Sequence, residues 1–214
     1  MIGTCMTAPG AGVLPTFGAE PRLGTNPIAV AAPAKDEPPF VFDAATSSVA
    51  INKIVLARRM DVVIPGGLVA DADGTPIMED GKVPEGFKMI PAGGTREMGS
   101  HKGYGLACVV EILCSILSGS GFAAMNPRGM TQHMVAAYDI AAFTDVDEFK
   151  ETMDQFLRAL KSTPPAPGHD RVLVAGQPEI EEEAERRAHG IPLHREVVEW
   201  FDEICGELSV PKLL

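Results

Sequence analysis

Residues 93–105, Gly93-Gly94-Thr95-Arg96-Glu97-Met98-Gly99-Ser100-His101-Lys102-Gly103-Tyr104-Gly105, place five glycines and a lysine ahead of the longest apolar run in the chain. Glycine admits positive φ and lets backbone approach a ligand closely, while the first turn of a following helix leaves N–H groups unpaired and partly positive. The chemistry of that combination is anion binding, with Lys102 adding a full charge. Its plain alternative is a glycine-rich turn with a solvated lysine. A second candidate is Asp43, at the end of the apolar Phe40-Val41-Phe42 and just before a helix start. A carboxylate there can accept hydrogen bonds from sugar hydroxyls, or simply cap a turn.

Two better-known anion motifs fail on inspection. Gly94-Thr95-Arg96-Glu97-Met98-Gly99 has the spacing of a phosphate-cradling loop, but Ser100-His101 stands where Lys-Ser/Thr is required. Gly103-Tyr104-Gly105-Leu106-Ala107-Cys108 has cysteine in place of the third glycine of a dinucleotide fingerprint, with no strand directly before it. The Asp71-Ala72-Asp73-Gly74 turn lacks the bidentate glutamate of a calcium loop, since Lys82 holds that position, and no metal is assigned.

Composition narrows the classes. The chain has 214 residues, 45% hydrophobic, enough for one domain or two small ones around a real core. Its net charge of −11 and the lack of a basic cluster argue against nucleic acid and anionic membrane as partners. Cys5, Cys108, Cys114 and Cys205 form no CxxC pair, which fits reduced thiols in a cytoplasmic protein. The apolar run 106–117 is too short to span a bilayer and contains Glu111, so it reads as a core helix.

The elements that must position these residues follow from local pattern. Residues 1–6 and 28–32 read as strands, and 40–42 as a third, with polar residues 35–39 turning between the last two. Asn26 before Pro27 favours a turn built by its own side chain, and Thr46 or Ser47 can cap a helix ending near Met60. Residues 133–143 read as a strand. Thr144 or Asp145 caps a helix with the apolar stripe Phe149, Met153, Phe156, Leu157 and Leu160. Beyond the rigid Pro164-Pro165-Ala166-Pro167-Gly168, Pro178 opens an acidic helix that stops at Gly190. The last helix, 196–208, is expected to bury Val197, Trp200, Phe201, Ile204 and Leu208. Without regular βα alternation, the order predicts an α+β fold with a mainly antiparallel or mixed sheet.

These motifs, in this order, resemble the type-2 malate/L-lactate dehydrogenases, a family that includes ureidoglycolate and sulfolactate dehydrogenases and diketogulonate reductases. The resemblance is carried by Gly24-Thr25-Asn26-Pro27, Phe42-Asp43-Ala44-Ala45-Thr46, Ile64-Pro65, Asp73-Gly74-Thr75-Pro76, Lys102-Gly103-Tyr104-Gly105, Pro165-Ala166-Pro167-Gly168 and Gly176-Gln177-Pro178-Glu179. It implies a non-Rossmann NAD- or NADP-binding fold. It also implies cofactor contacts from Asp43, Ala44, Ala45 and Thr46, from Lys102 and Gly103, and from Gly176, Gln177 and Pro178. Gln177 stands where the family commonly has glutamate.

The implied activity is hydride transfer between NAD(P) and a small 2-hydroxy or 2-oxo acid, in a cytoplasmic homodimer or higher homo-oligomer. The family's catalytic histidine and substrate-binding cluster have no counterpart in this sequence, so no catalytic residue is assigned and a truncated form is expected. His101, beside the candidate site, reads as a loop histidine. The expected organisation is a cofactor-binding domain over 1–162 and a C-terminal helical segment over 163–214. The alternative is a non-catalytic remnant that binds cofactor or oligomerises.

Overall fold

The computed structural model describes residues 1–125 and 130–212. The chain divides into two compact units, Met1–Gly176 and Gln177–Leu214. The proline-rich connector lies inside the first.

The first unit is built on a four-stranded sheet of order β3-β2-β1-β6: β1 is Ile2–Ala8, β2 Ile28–Ala32, β3 Phe40–Ala44 and β6 Gln132–Tyr138. Every pairing in it is antiparallel, with Cys5 opposite Ala29 and Val135, and Ala29 opposite Asp43. The expected β2–β3 hairpin is present, and β3 runs two residues past the expected Phe42. A short antiparallel pair, β4 (Val69–Ala70) with β5 (Lys88–Met89), closes a second core of Val13, Ile54, Ala57, Ile64, Val69 and Met89.

Helix α1 is Ile51–Arg59, helix α2 Ser100–Glu111 and helix α3 Val146–Lys161. Neither Thr46 nor Ser47 caps α1, whose N-cap is Ala50 without a side-chain bond. The Ser47 hydroxyl donates instead to the Val49 carbonyl. Asp43 therefore lies well upstream of that helix. Asp145 does cap α3, accepting from the amides of Asp147 and Glu148. The expected strand 133–143 ends at Tyr138, because the Asp139 side chain accepts from Ala141 N and opens a 3-10 turn, Ile140–Ala142.

Helix α2 runs on through a π-helical turn, Ile112–Ile116. One face packs on the sheet, where Ala8, Val110 and Cys114 form a buried cluster with Met6, Ile28 and Met134 against it. The other, carrying Leu106, Val109, Ile112 and Ile116, is about half exposed.

In the second unit, α4 (Gln177–His189) has no buried residue and is laced by i,i+4 pairs, Glu182 with Arg186, Glu183 with Arg187 and Glu185 with His189. The final helix, α5 (Arg195–Leu208), is capped by His194 and buries Cys205. Trp200 and Leu208 are exposed instead of buried, since this helix turns only one edge of its apolar stripe inward. Among the described residues no helix is long and apolar enough to cross a membrane, and no cluster of three potential metal ligands occurs.

Candidate functional site

The lysine of the glycine-rich stretch is helical. Helix α2 begins at Ser100, so Lys102 and Gly103 lie in its first turn, and only Gly93, Gly94 and Gly99 of the five glycines take positive φ (95°, 62° and 100°). Gly99 is the left-handed N-cap, with no side-chain cap on the turn that follows. Gly103 serves a different need. A Cβ there would stand 2.4 Å from the Ala92 carbonyl oxygen and 2.6 Å from Ala92 N, so only a bare Cα lets the helix lie against that loop.

Ala92 is also where the second candidate segment arrives. Its amide donates to the Thr46 carbonyl (2.8 Å), and Ser48 N donates to the Ile90 carbonyl (2.9 Å). The Ser48 hydroxyl donates to the Pro91 carbonyl (2.6 Å) and accepts from Gly94 N (3.2 Å). Segments 43–48 and 90–103, far apart in sequence, are thus sewn together at the foot of α2.

Thr46 is fixed from its other side as well, since its amide (2.9 Å) and hydroxyl (3.0 Å) both donate to the Thr25 carbonyl. Thr46 and Gly103 are buried and join the segments to one another, while Asp43 and Lys102 are exposed. Neither charge is committed to an ion pair among the described residues, so an acceptor and a cation stand uncommitted on the two joined segments.

Gly176 ends the first unit against the same hairpin. Its φ is 86°, and a Cβ would come within 2.8 Å of the Val41 carbonyl oxygen, so this turn can rest on β3 only as glycine. Gln177 and Pro178 open α4 in the second unit.

His101 is exposed at the start of α2, where Arg96 Nη1 donates to its Nδ1 (2.9 Å). Behind that loop a cavity of about 220 Å3 is walled by Thr16, Gly74, Pro76, Gly94 and Ser100, with the Thr16 and Ser100 hydroxyls 3.1 Å apart. Burial pushes the thiols of Cys108 and Cys114 up, so neither is a thiolate nucleophile at neutral pH.

Two further residues organise the site, although the sequence presents Asn26 as a turn residue and Glu111 only as a charge within an apolar run. Asn26, fully buried with φ 40°, builds no local turn. Its Nδ2 donates to the Ala107 carbonyl (2.9 Å) and to Glu111 Oε2 (3.0 Å) on α2. Glu111 Oε1 accepts in turn from Ala123 N (2.7 Å). A carboxylate inside an apolar run was the visible signal that something polar faces that helix.

An antiparallel sheet with helices packed around it is a mixed α/β fold similar to that of solved dehydrogenases. Malate dehydrogenase from Entamoeba histolytica superposes on this chain with a TM-score of 0.89 at 32% identity, covering 100% of this chain and 63% of that one. Malate dehydrogenase of Pyrococcus horikoshii is 38% identical over 219 residues, and malate/(S)-sulfolactate dehydrogenase of Methanothermus fervidus 35% over 217. The sequence model of the malate/L-lactate dehydrogenase family matches residues 1–202, and the chain belongs to that family. It covers 61% and 60% of the length of those two relatives.

Proposed function

We propose that this chain is the nicotinamide-cofactor-binding portion of a dehydrogenase that moves a hydride between NAD or NADP and a small 2-hydroxy or 2-oxo acid of the malate/lactate type. The observation that carries this reading is the junction at Ala92, which joins the segment that follows Asp43 at the end of β3 to the helical turn bearing Lys102 and leaves both charges without an ion pair among the described residues.

The donor set fits the parts of a dinucleotide. Asp43 can accept from ribose hydroxyls, while Lys102 and the uncapped first turn of α2 meet pyrophosphate or a nicotinamide ribose. Ala44 and Ala45 present backbone groups without side-chain bulk, and Gly176 lets its turn lie close against Val41 of β3. For Gln177 and Pro178 the assignment rests on the family resemblance alone. When bound, the cofactor supplies the hydride. The residues of this chain hold and orient it, in a site formed without a parallel βαβ unit. The proton donor and the groups that clamp the acid are not among the residues assigned here. Relatives named for malate, sulfolactate and lactate support the substrate class.

Lys102→Ala tests the assignment. In a fluorescence titration with NADH and NADPH, affinity should fall about tenfold or more, the loss of one charge-assisted contact. Unchanged affinity for both cofactors removes Lys102 from the site.

The reading includes a cytoplasmic homo-oligomer, supported by four free cysteines and by the charge-free, half-exposed face Leu106, Val109, Ile112 and Ile116. Light scattering that returns the mass of a single chain contradicts the oligomer.

A further inference from the structure

We infer that Asn26 is a positioning residue for the cofactor turn, holding Asp43 and Thr46 in register with helix α2 through Glu111. This rests on the cofactor reading above, and its evidence is a closed ring of contacts. Helix α2 supplies two acceptors, the Ala107 carbonyl and the Glu111 carboxylate, and Asn26 Nδ2 donates to both. The next link is Thr25, whose carbonyl takes both the amide and the hydroxyl of Thr46. The Thr46 carbonyl takes Ala92 N, and Ala92 lies against Gly103, back on α2. Gly103 and Ala107 are four residues apart and share one buried face of the helix. The ring therefore starts and ends on a single rigid element.

Three features make this arrangement specific to asparagine. Both partners of Nδ2 are acceptors, so the amide cannot be reversed without facing oxygen to oxygen. The backbone at residue 26 is left-handed, a conformation that asparagine tolerates better than most side chains. Asn26 Oδ1 has no hydrogen-bond partner among the described residues although it is buried. The fold keeps that unsatisfied acceptor and retains the donor aimed at α2.

The ring sets where the two exposed charges stand. Lys102 directly precedes Gly103, and Asp43 lies three residues before Thr46 in a strand whose register is fixed by Ala29 opposite Asp43. Loosening the link at Asn26 frees the Thr25–Thr46 contact and lets the two charges drift apart without touching either one.

The test is Asn26→Asp, which keeps the shape and the tolerance for left-handed backbone but turns an acceptor toward two acceptors. Two readouts are taken on folded protein: hydrogen exchange of the Thr46 amide without cofactor, and NADH and NADPH dissociation constants by fluorescence titration. Thr46 exchange should accelerate and affinity should fall about 10- to 100-fold, as expected for a misplaced contact. The double variant Asn26→Asp/Glu111→Gln restores a donor–acceptor pair at residue 111 while the Ala107 carbonyl stays unpaired, and should recover part of both, which a loss of general stability does not predict. The inference is overturned if folded Asn26→Asp keeps parental affinity to within about twofold, or if the double variant is no better than the single.

Should Asn26→Asp fail to fold, Glu111→Gln decides, since it exchanges one of the two occupied carboxylate oxygens for a donor. Slower cofactor capture with faster Thr46 exchange supports the ring, and no change in either overturns it. A parent chain that binds neither cofactor refutes the reading under Proposed function, while Thr46 exchange continues to test the ring itself.

Discussion

The two ends of the β2–β3 hairpin are held in opposite ways. At the closed end, α3 grips the turn with charge. Asp154, 3% exposed, accepts from the amides of Lys35 (2.9 Å), Asp36 (3.0 Å) and Glu37 (3.1 Å). Lys161 (2.6 Å) and Arg158 (3.0 Å) both reach the Glu37 carboxylate. At the open end, Thr25, Thr46, Ser48 and Ala92 are joined by backbone and hydroxyl hydrogen bonds, and the buried carboxylate of Glu111 is tied to Asn26 and Ala123. Charge consumed within the fold at one end is left unpaired at the other, on Asp43 and Lys102. A binding site needs its fixed geometry from uncharged contacts if its charges are to remain free for a ligand.

The largest effect expected on this contrast comes from Gly103→Ala. The added Cβ meets the Ala92 backbone at 2.4 Å, and forcing helix from loop costs about 1–3 kcal/mol by overpacking. Thermal melts should show the loss, and cofactor titration should weaken alongside, because the same contact joins the two charged segments. A variant with parental stability contradicts the close approach.

Next is Asp154→Asn, which should lower Tm by less than Gly103→Ala and leave cofactor affinity unchanged, since it acts at the far end. It should also flatten the acid limb of stability. Burial pushes the Asp154 carboxyl up, but the amides of Asp36, Glu37 and Lys35 together with Arg158 outweigh it and hold the group below its ordinary value. Lys161 and Arg158 lower Glu37 likewise. A carboxyl lowered in the folded state stabilises fully above its unfolded pKa, near 4, and loses that contribution as pH falls through the folded value. Melts between neutral pH and roughly pH 3 should therefore fall more steeply for the parent than for the variant, and equal slopes contradict the clamp.

A smaller change should follow from Asp43→Asn, a several-fold loss of cofactor affinity with no change in Tm, read by paired titration and melt. A drop in Tm instead assigns Asp43 to the fold.

The sheet was legible because its signals are local. Residues 28–32 form β2 as the apolar run indicates, Asp145 caps α3, and Pro178 and Gly190 bound α4. The candidate site was legible only as separate pieces. Two glycines in Lys102-Gly103-Tyr104-Gly105 weigh against a helix by propensity, yet packing on Ala92 makes Gly103 helical. Thr46 and Ser47 look like caps, but their hydroxyls bind the Thr25 and Val49 carbonyls. Asn26 reads as a turn residue because its partners, Ala107 and Glu111, are 81 and 85 positions away. Asp154 sits beside the apolar stripe of α3, with nothing in its neighbours to announce the three amides it collects from the opposite side of the fold.

The central claim is that cofactor binds where 43–48 meets the foot of α2. Amide hydrogen exchange of the parent chain with and without saturating NADH or NADPH tests it directly. The account predicts added protection confined mainly to 43–48 and 93–103, with the α3 clamp at 35–37 unchanged. Protection that leaves both of those segments unaltered, with cofactor bound, contradicts it.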